Sequence, residues 1–225
     1  MNTTREIKFE SPTFGERIKG MLGVDFYRLF HTPLFYIFLA IAAIIPAMVS
    51  AMTMMPDQNG QTMEPLYSNV WQIIAASKSL YVIETIADYA NMNMVFIFGG
   101  IMVSIFIGHD YKSGYVKQLF TTHPKKQDYM MSKTIICAFA MACMCITYLI
   151  GGTVGGLLVG YETDVNVGSL IVAILGKVVM SLGWASLYTF LNVIFRRYFG
   201  ISVASSFFFG TGILIIGAAA IVEGL

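Results

Sequence analysis

Charge is scarce in this chain. Asp, Glu, Lys and Arg make up 12% of its 225 residues, about half the share found in a soluble domain. That scarcity excludes a solvated surface over most of the sequence. No G-x-x-x-x-G-K-[ST] run occurs, so the chain lacks the loop that cradles nucleotide phosphates. The three cysteines, Cys137, Cys143 and Cys145, crowd into one apolar run. Their spacing suits neither a zinc site nor a disulfide frame, so buried free thiols are expected. His31, His109 and His123 stand apart, without the i,i+4 pairing of a metalloprotease helix. No nucleophile and base fall together inside an apolar segment, so no enzymatic activity, cofactor or metal is expected of this chain. A net charge of +1 gives no reason to expect a nucleic-acid partner. The first 33 residues hold Arg5, Lys8, Arg17, Lys19 and Arg28 without a short apolar core and small-residue cleavage site, so no cleavable signal peptide is expected.

Apolar residues are abundant instead, at 56% of the chain with a mean hydropathy of +0.70. They gather in runs of about 20, the length a helix needs to cross a bilayer. The expected fold is therefore all-α, a polytopic membrane bundle preceded by an amphipathic interfacial helix. Five spans are expected, at residues 34–53, 89–108, 134–156, 168–195 and 199–221. Residues 1–33 form the segment before the bundle and 34–225 the transmembrane domain. Lysine and arginine are concentrated in the N-terminal segment, in the 109–133 loop and at Arg196–Arg197. The opposite side carries Lys78 and seven acids: Asp57, Glu64, Glu84, Asp88, Glu162, Asp164 and Glu223. The positive-inside rule then places the N-terminus in the cytoplasm of a multi-pass cell-membrane protein. Five spans from a cytoplasmic start put residue 225 outside, and a sixth helix beyond it is expected.

FGERIKGMLGVDFYRLFHTP, residues 14–33, carries Phe14, Ile18, Met21, Leu22, Phe26, Leu29 and Phe30 at steps of three and four. That spacing makes one apolar helical stripe, with Glu16, Arg17, Lys19, Asp25 and Arg28 largely on the other side. A basic amphipathic helix just before a span is expected to lie in the cytoplasmic interface, as a simple anchor or as a moving part. Pro33 suits the start of the following helix.

The loop that joins the second and third spans reads GHDYKSGYVKQLFTTHPKKQDYMMSK over residues 108–133. Asp110, Tyr111 and Gly114 close the preceding helix. Tyr115, Val116, Lys117, Leu119 and Phe120 suit a short helix with an apolar face, stopped before Pro124. Lys125, Lys126 and Lys133 lead into the next span, where Tyr129, Met130 and Met131 are suited to the interface. The lysines alone are explained by topology and anionic headgroups. The grouped Val116, Leu119 and Phe120 are not, and they suggest insertion into a groove on a soluble partner.

This order of elements resembles the cytoplasmic loop of the permease subunits of type-2 ATP-binding-cassette exporters. The carriers are D-Y-K-S-G-Y-V-K-Q-L-F, then H-P-K-K-Q-D-Y-M-M-S-K. The resemblance implies that residues 109–133 hold a coupling helix for a separate ATPase subunit, and that residues 14–30 are its elbow helix. It also implies a second permease, identical or related, with ATP and magnesium held on the ATPase partner. Among such permeases the compact form resembles those tied to antimicrobial-peptide export or resistance in Gram-positive bacteria. Family permeases have six spans, one more than this sequence offers.

Small residues every four positions suit close helix packing: Gly100, Ser104 and Gly108 in the second span, and Gly152, Gly156 and Gly160 in the third, with Gly151 and Gly155 alike. They serve packing within the chain or a dimer seam. Pro46 is expected to kink the first span. The third and fourth spans exceed a membrane's thickness, so a strong tilt or an outer hairpin bending at 151–160 is expected. Lys177 lies about 29 Å of helical rise from Arg196, and either lines a substrate path or seam or snorkels outward. The outer loop, 54–88, has room for one surface helix anchored by Trp71. An ATP-driven exporter of amphipathic peptide or lipid-like substrates is the leading expectation. A secondary transporter or channel-like subunit without ATP, and a membrane scaffold, are the competing ones.

Overall fold

A computed structural model of the chain describes residues 12–52, 86–121, 125–160, 167–195 and 199–210. Among the described residues every element is an α-helix and no strand occurs. In chain order they are α1 (Phe14–Phe30), α2 (Pro33–Met52), α3 (Ile86–Lys112), α4 (Tyr115–Thr121), α5 (Lys126–Val159), α6 (Val167–Ile194) and α7 (Phe199–Gly210). Three are long and apolar enough to cross a membrane: α3 over Val95–Lys112, α5 over Lys126–Val159 and α6 over Ile174–Ile194. The pair α1–α2, bent by 64° at its break, makes a fourth candidate if it is taken as one span. The expected fifth span, 199–221, is described only as far as α7 reaches. The outer loop with Trp71, Arg196–Arg197 and Pro124 lie outside the described residues.

Local chemistry sets the helix ends. The Thr13 backbone N–H donates to the Glu16 carboxylate at 2.8 Å, which satisfies a free donor at the start of α1. His31 closes that helix, and its Nδ1 donates to the Tyr27 carbonyl at 2.8 Å. Pro33, which has no N–H to lose, opens α2, and that helix continues through Pro46. Gly114, at φ 75°, takes the left-handed conformation that separates α3 from α4. Asp128 accepts from the Lys125 N–H at 3.3 Å and so caps α5.

The spine of the molecule is α5, packed against α1, α2, α3 and α6. Its tightest seam is with α2. A Cβ on Gly151 would lie 2.1 Å from the Ala43 carbonyl oxygen, and one on Gly155 would lie 2.6 Å from the Ala47 Cα. Only glycine permits that approach. Of the expected tilt or outer hairpin bending over 151–160, no bend falls within 151–159, because α5 runs unbroken to Val159 and breaks only at Gly160. Gly152 and Gly156 are buried within it. Gly160 closes the helix at φ 86°, and a Cβ there would meet nothing within 4 Å among the described residues. On α3, Gly100 and Ser104 are buried and Gly108 is half-buried. At 34 residues, α5 rises about 51 Å against a hydrocarbon thickness of about 30 Å.

Candidate functional site: a buried charge lock at the helix ends

Three helix ends converge on one lysine. Lys133, in the second turn of α5, is completely buried, as is Asp110 near the end of α3, and Asp25 on α1 is 1% exposed. The Lys133 ammonium donates to Asp25 Oδ1 at 2.6 Å and lies 2.6 Å from Asp110 Oδ2. Arg28 donates through Nη2 to Asp110 Oδ1, and its Nη1 sits 3.8 Å from Asp25. The remaining acceptors are used as well. The Ser132 hydroxyl donates to Asp25 Oδ2 at 2.8 Å, and the Tyr129 hydroxyl donates to Asp110 Oδ2 at 3.3 Å. Two acids therefore face two bases, with no net charge left over.

Aromatic faces enclose the cations. The Lys133 Nζ lies 4.9 Å from the Phe106 ring centroid, and the Arg28 guanidinium lies 4.6 Å from that of Tyr115. Burial, with the field of Asp25, pushes the Tyr115 phenol above its ordinary pKa, so it stays neutral. Enclosure of this kind makes the pairing strong and the loss of any one partner expensive. A satellite pair extends the lock: Arg17 Nε donates to Asp128 Oδ2 at 2.8 Å, tying the start of α1 to the start of α5.

The short helix α4 is latched onto this lock. Val116 is buried in a small cluster with Met21 of α1 and Tyr129 of α5, and Leu119 and Tyr111 are half-buried against it. Lys117, Gln118, Phe120 and Thr121 remain exposed, as do Lys125 and Lys126 beyond the helix. Phe120 keeps one edge on Tyr129, at 6.1 Å between ring centroids. The loop residues singled out in the sequence thus divide. Asp110 and Val116 are interior to this chain, Tyr111, Gly114, Tyr115 and Leu119 are partly buried, and Lys117, Phe120, Lys125 and Lys126 face outward.

Several expectations change. Asp25 does not lie on a watery face of α1. The buried line of that helix runs through Met21, Asp25 and Leu29, a strict four-residue step, while Ile18, Leu22 and Phe26 are half-buried and Phe14 and Phe30 exposed. Tyr129 belongs to the lock and not to an interfacial belt, being 2% exposed. Lys133 is no loop lysine, because α5 begins seven residues before it. Lys177 falls within α6, and its side chain lies outside the described residues.

A second polar knot sits inside the bundle. Asn192 of α6 donates to the Ser104 hydroxyl at 3.1 Å and to the Tyr188 carbonyl at 2.8 Å, and it accepts from Ser202 of α7. Among the described residues no group of three or more His, Cys, Asp or Glu is placed to hold a metal. No family model, curated protein or solved structure matches this chain.

Proposed function

We propose that this membrane chain is the permease subunit of an ATP-driven exporter, worked by a separate ATPase that seats on α4. The observation that carries the reading is mechanical. A seven-residue helix hangs between two long apolar helices, and its inner face is latched to α1, α3 and α5 while its outer face stays open. A push on that outer face has a stiff route through the charge lock to three helix ends, which is what coupling a soluble engine to membrane helices requires. In this reading α1 is an interfacial elbow, the N-terminus is cytoplasmic, and the protein resides in the cell membrane. A second permease, identical or related, completes the path. ATP and magnesium belong to the ATPase. The substrate is amphipathic, a peptide or a lipid-like molecule, because the helices offer aromatic and methionine side chains but few charges.

The chain should co-purify with an ATPase and stimulate or restrain its turnover. Lys117→Glu with Phe120→Glu, both on the open face, should reduce that association at least tenfold while the permease itself still folds. Unchanged association and turnover in that variant would defeat the proposal. One observation favours a second reading, a transporter driven by an ion gradient: buried Asp25, Asp110 and Lys133 are the groups a proton relay would use. Transport by proteoliposomes that follows a proton gradient, without nucleotide, would select it.

A further inference from the structure

We infer that the crevice at the knee between α1 and α2 is a subsite for an anionic phospholipid. The inference rests on the membrane character of the chain and not on its coupling to ATP. The cavity measures about 310 Å³ and is walled on one side by the knee and on the other by α3. That volume equals the share of roughly ten waters, enough for a phosphate-bearing headgroup and the first part of its chains.

The lining is polar at one end and apolar at the other. His109 in the last turn of α3, with His31 and Arg28 at the end of α1, forms the polar rim. Ile105 and Met102 follow on α3 at about 6 and 10 Å below His109, facing Leu34 across the crevice. Membrane helices end where headgroups begin, so this gradient runs in the same sense as a lipid lying beside α3. An apolar floor of that depth is wasted on free phosphate and suits an amphiphile.

The rim also offers donors in need of acceptors. Arg28 spends Nη2 on Asp110, and its side chain remains 24% exposed. Among the described residues nothing accepts its Nε–H. His31 already spends its Nδ1–H on the Tyr27 carbonyl and adds an imidazole to the rim, while the exposed His109 ring has no partner among the described residues and brings an N–H donor. The carboxylates nearest to the rim, Asp110 and Asp25, are already balanced by Lys133 and Arg28. An anion at the rim therefore meets hydrogen-bond donors without an unpaired acid behind them, and an arginine–phosphate contact is among the stronger ones available.

The test titrates short-chain phosphatidylglycerol, phosphatidylcholine and glycerol 3-phosphate into the detergent-purified full chain, reading bound lipid by native mass spectrometry. Phosphatidylglycerol should bind at least tenfold more tightly than phosphatidylcholine. His31→Ala with His109→Ala, both exposed positions, should weaken that binding about fivefold, and Ile105→Trp, which fills the floor, should abolish it. Equal binding of the two lipids, or wild-type binding by the double histidine variant, would overturn the inference. Glycerol 3-phosphate binding as tightly as the lipid would overturn the assignment to an amphiphile.

Discussion

Lys133 is the residue on which the charge balance turns. Replacing it by methionine preserves its approximate length but leaves Asp25 and Asp110 buried with Arg28 alone. The expected loss is about 3–5 kcal/mol, the cost typical of removing one member of a buried ion pair, read as thermal unfolding in detergent. Asp25→Asn or Asp110→Asn should also destabilise. Adding Asp25→Asn to Lys133→Met should recover part of the loss, since the second change removes a charge that the first left unpaired. Strictly additive losses would mean that the two groups do not form one unit. None of this was legible from the sequence. A helical wheel assigns Asp25 and Arg28 to water because they are charged, and the rule is sound where no partner exists. The partner here is 108 positions away along the chain, and no local periodicity carries that information. The signal that was available is modest: Asp25 falls midway between Met21 and Leu29, in the same four-residue row.

At the scale of the element, the short helix α4 was legible almost to the residue, because Gly114 and Pro124 punctuate it and Val116, Leu119 and Phe120 repeat at helical steps. The small-residue rows were legible as packing signals but not as to which helix each one meets. Sequence spacing treats Gly151–Gly155 and Gly152–Gly156 alike, and it is at Gly151 and Gly155 that α2 comes within 2.1 and 2.6 Å of a would-be Cβ. Gly151→Leu should push α2 from α5 and cost on the order of 1–3 kcal/mol, the scale of core overpacking. Gly183→Ala on α6, where a Cβ meets nothing within 4 Å, should be neutral or stabilising by up to about 1 kcal/mol. Both are read by thermal unfolding of purified protein, and comparable losses in the two variants would contradict the seam.

For the whole molecule, the length of α5 is the governing fact. Thirty-four residues leave about 20 Å beyond the hydrocarbon core for tilt or for protrusion. The surplus was legible from the length of the apolar run, but of its two expected resolutions, a tilt or an outer hairpin, the hairpin's bend does not fall within 151–159, since glycines that pack against a neighbour remain helical. Single cysteines at Lys126 and Leu158, placed in a background with Cys137, Cys143 and Cys145 replaced by alanine, should react with an impermeant maleimide from opposite faces of sealed vesicles. Reaction from the same face would show that α5 does not cross.

The lock also sets an order of events during synthesis. Asp25 and Arg28 leave the ribosome early, while the ammonium that neutralises the carboxylates on α1 and α3 is made 108 positions after Asp25. Until then the first helix is tied to α3 by Arg28 and Asp110 alone, with Asp25 lacking its ammonium. A nascent chain halted before Lys133 would set two acids, Asp25 and Asp110, against the single charge of Arg28. Seating of the N-terminal helix thus reports that the third long helix has been made and inserted in register.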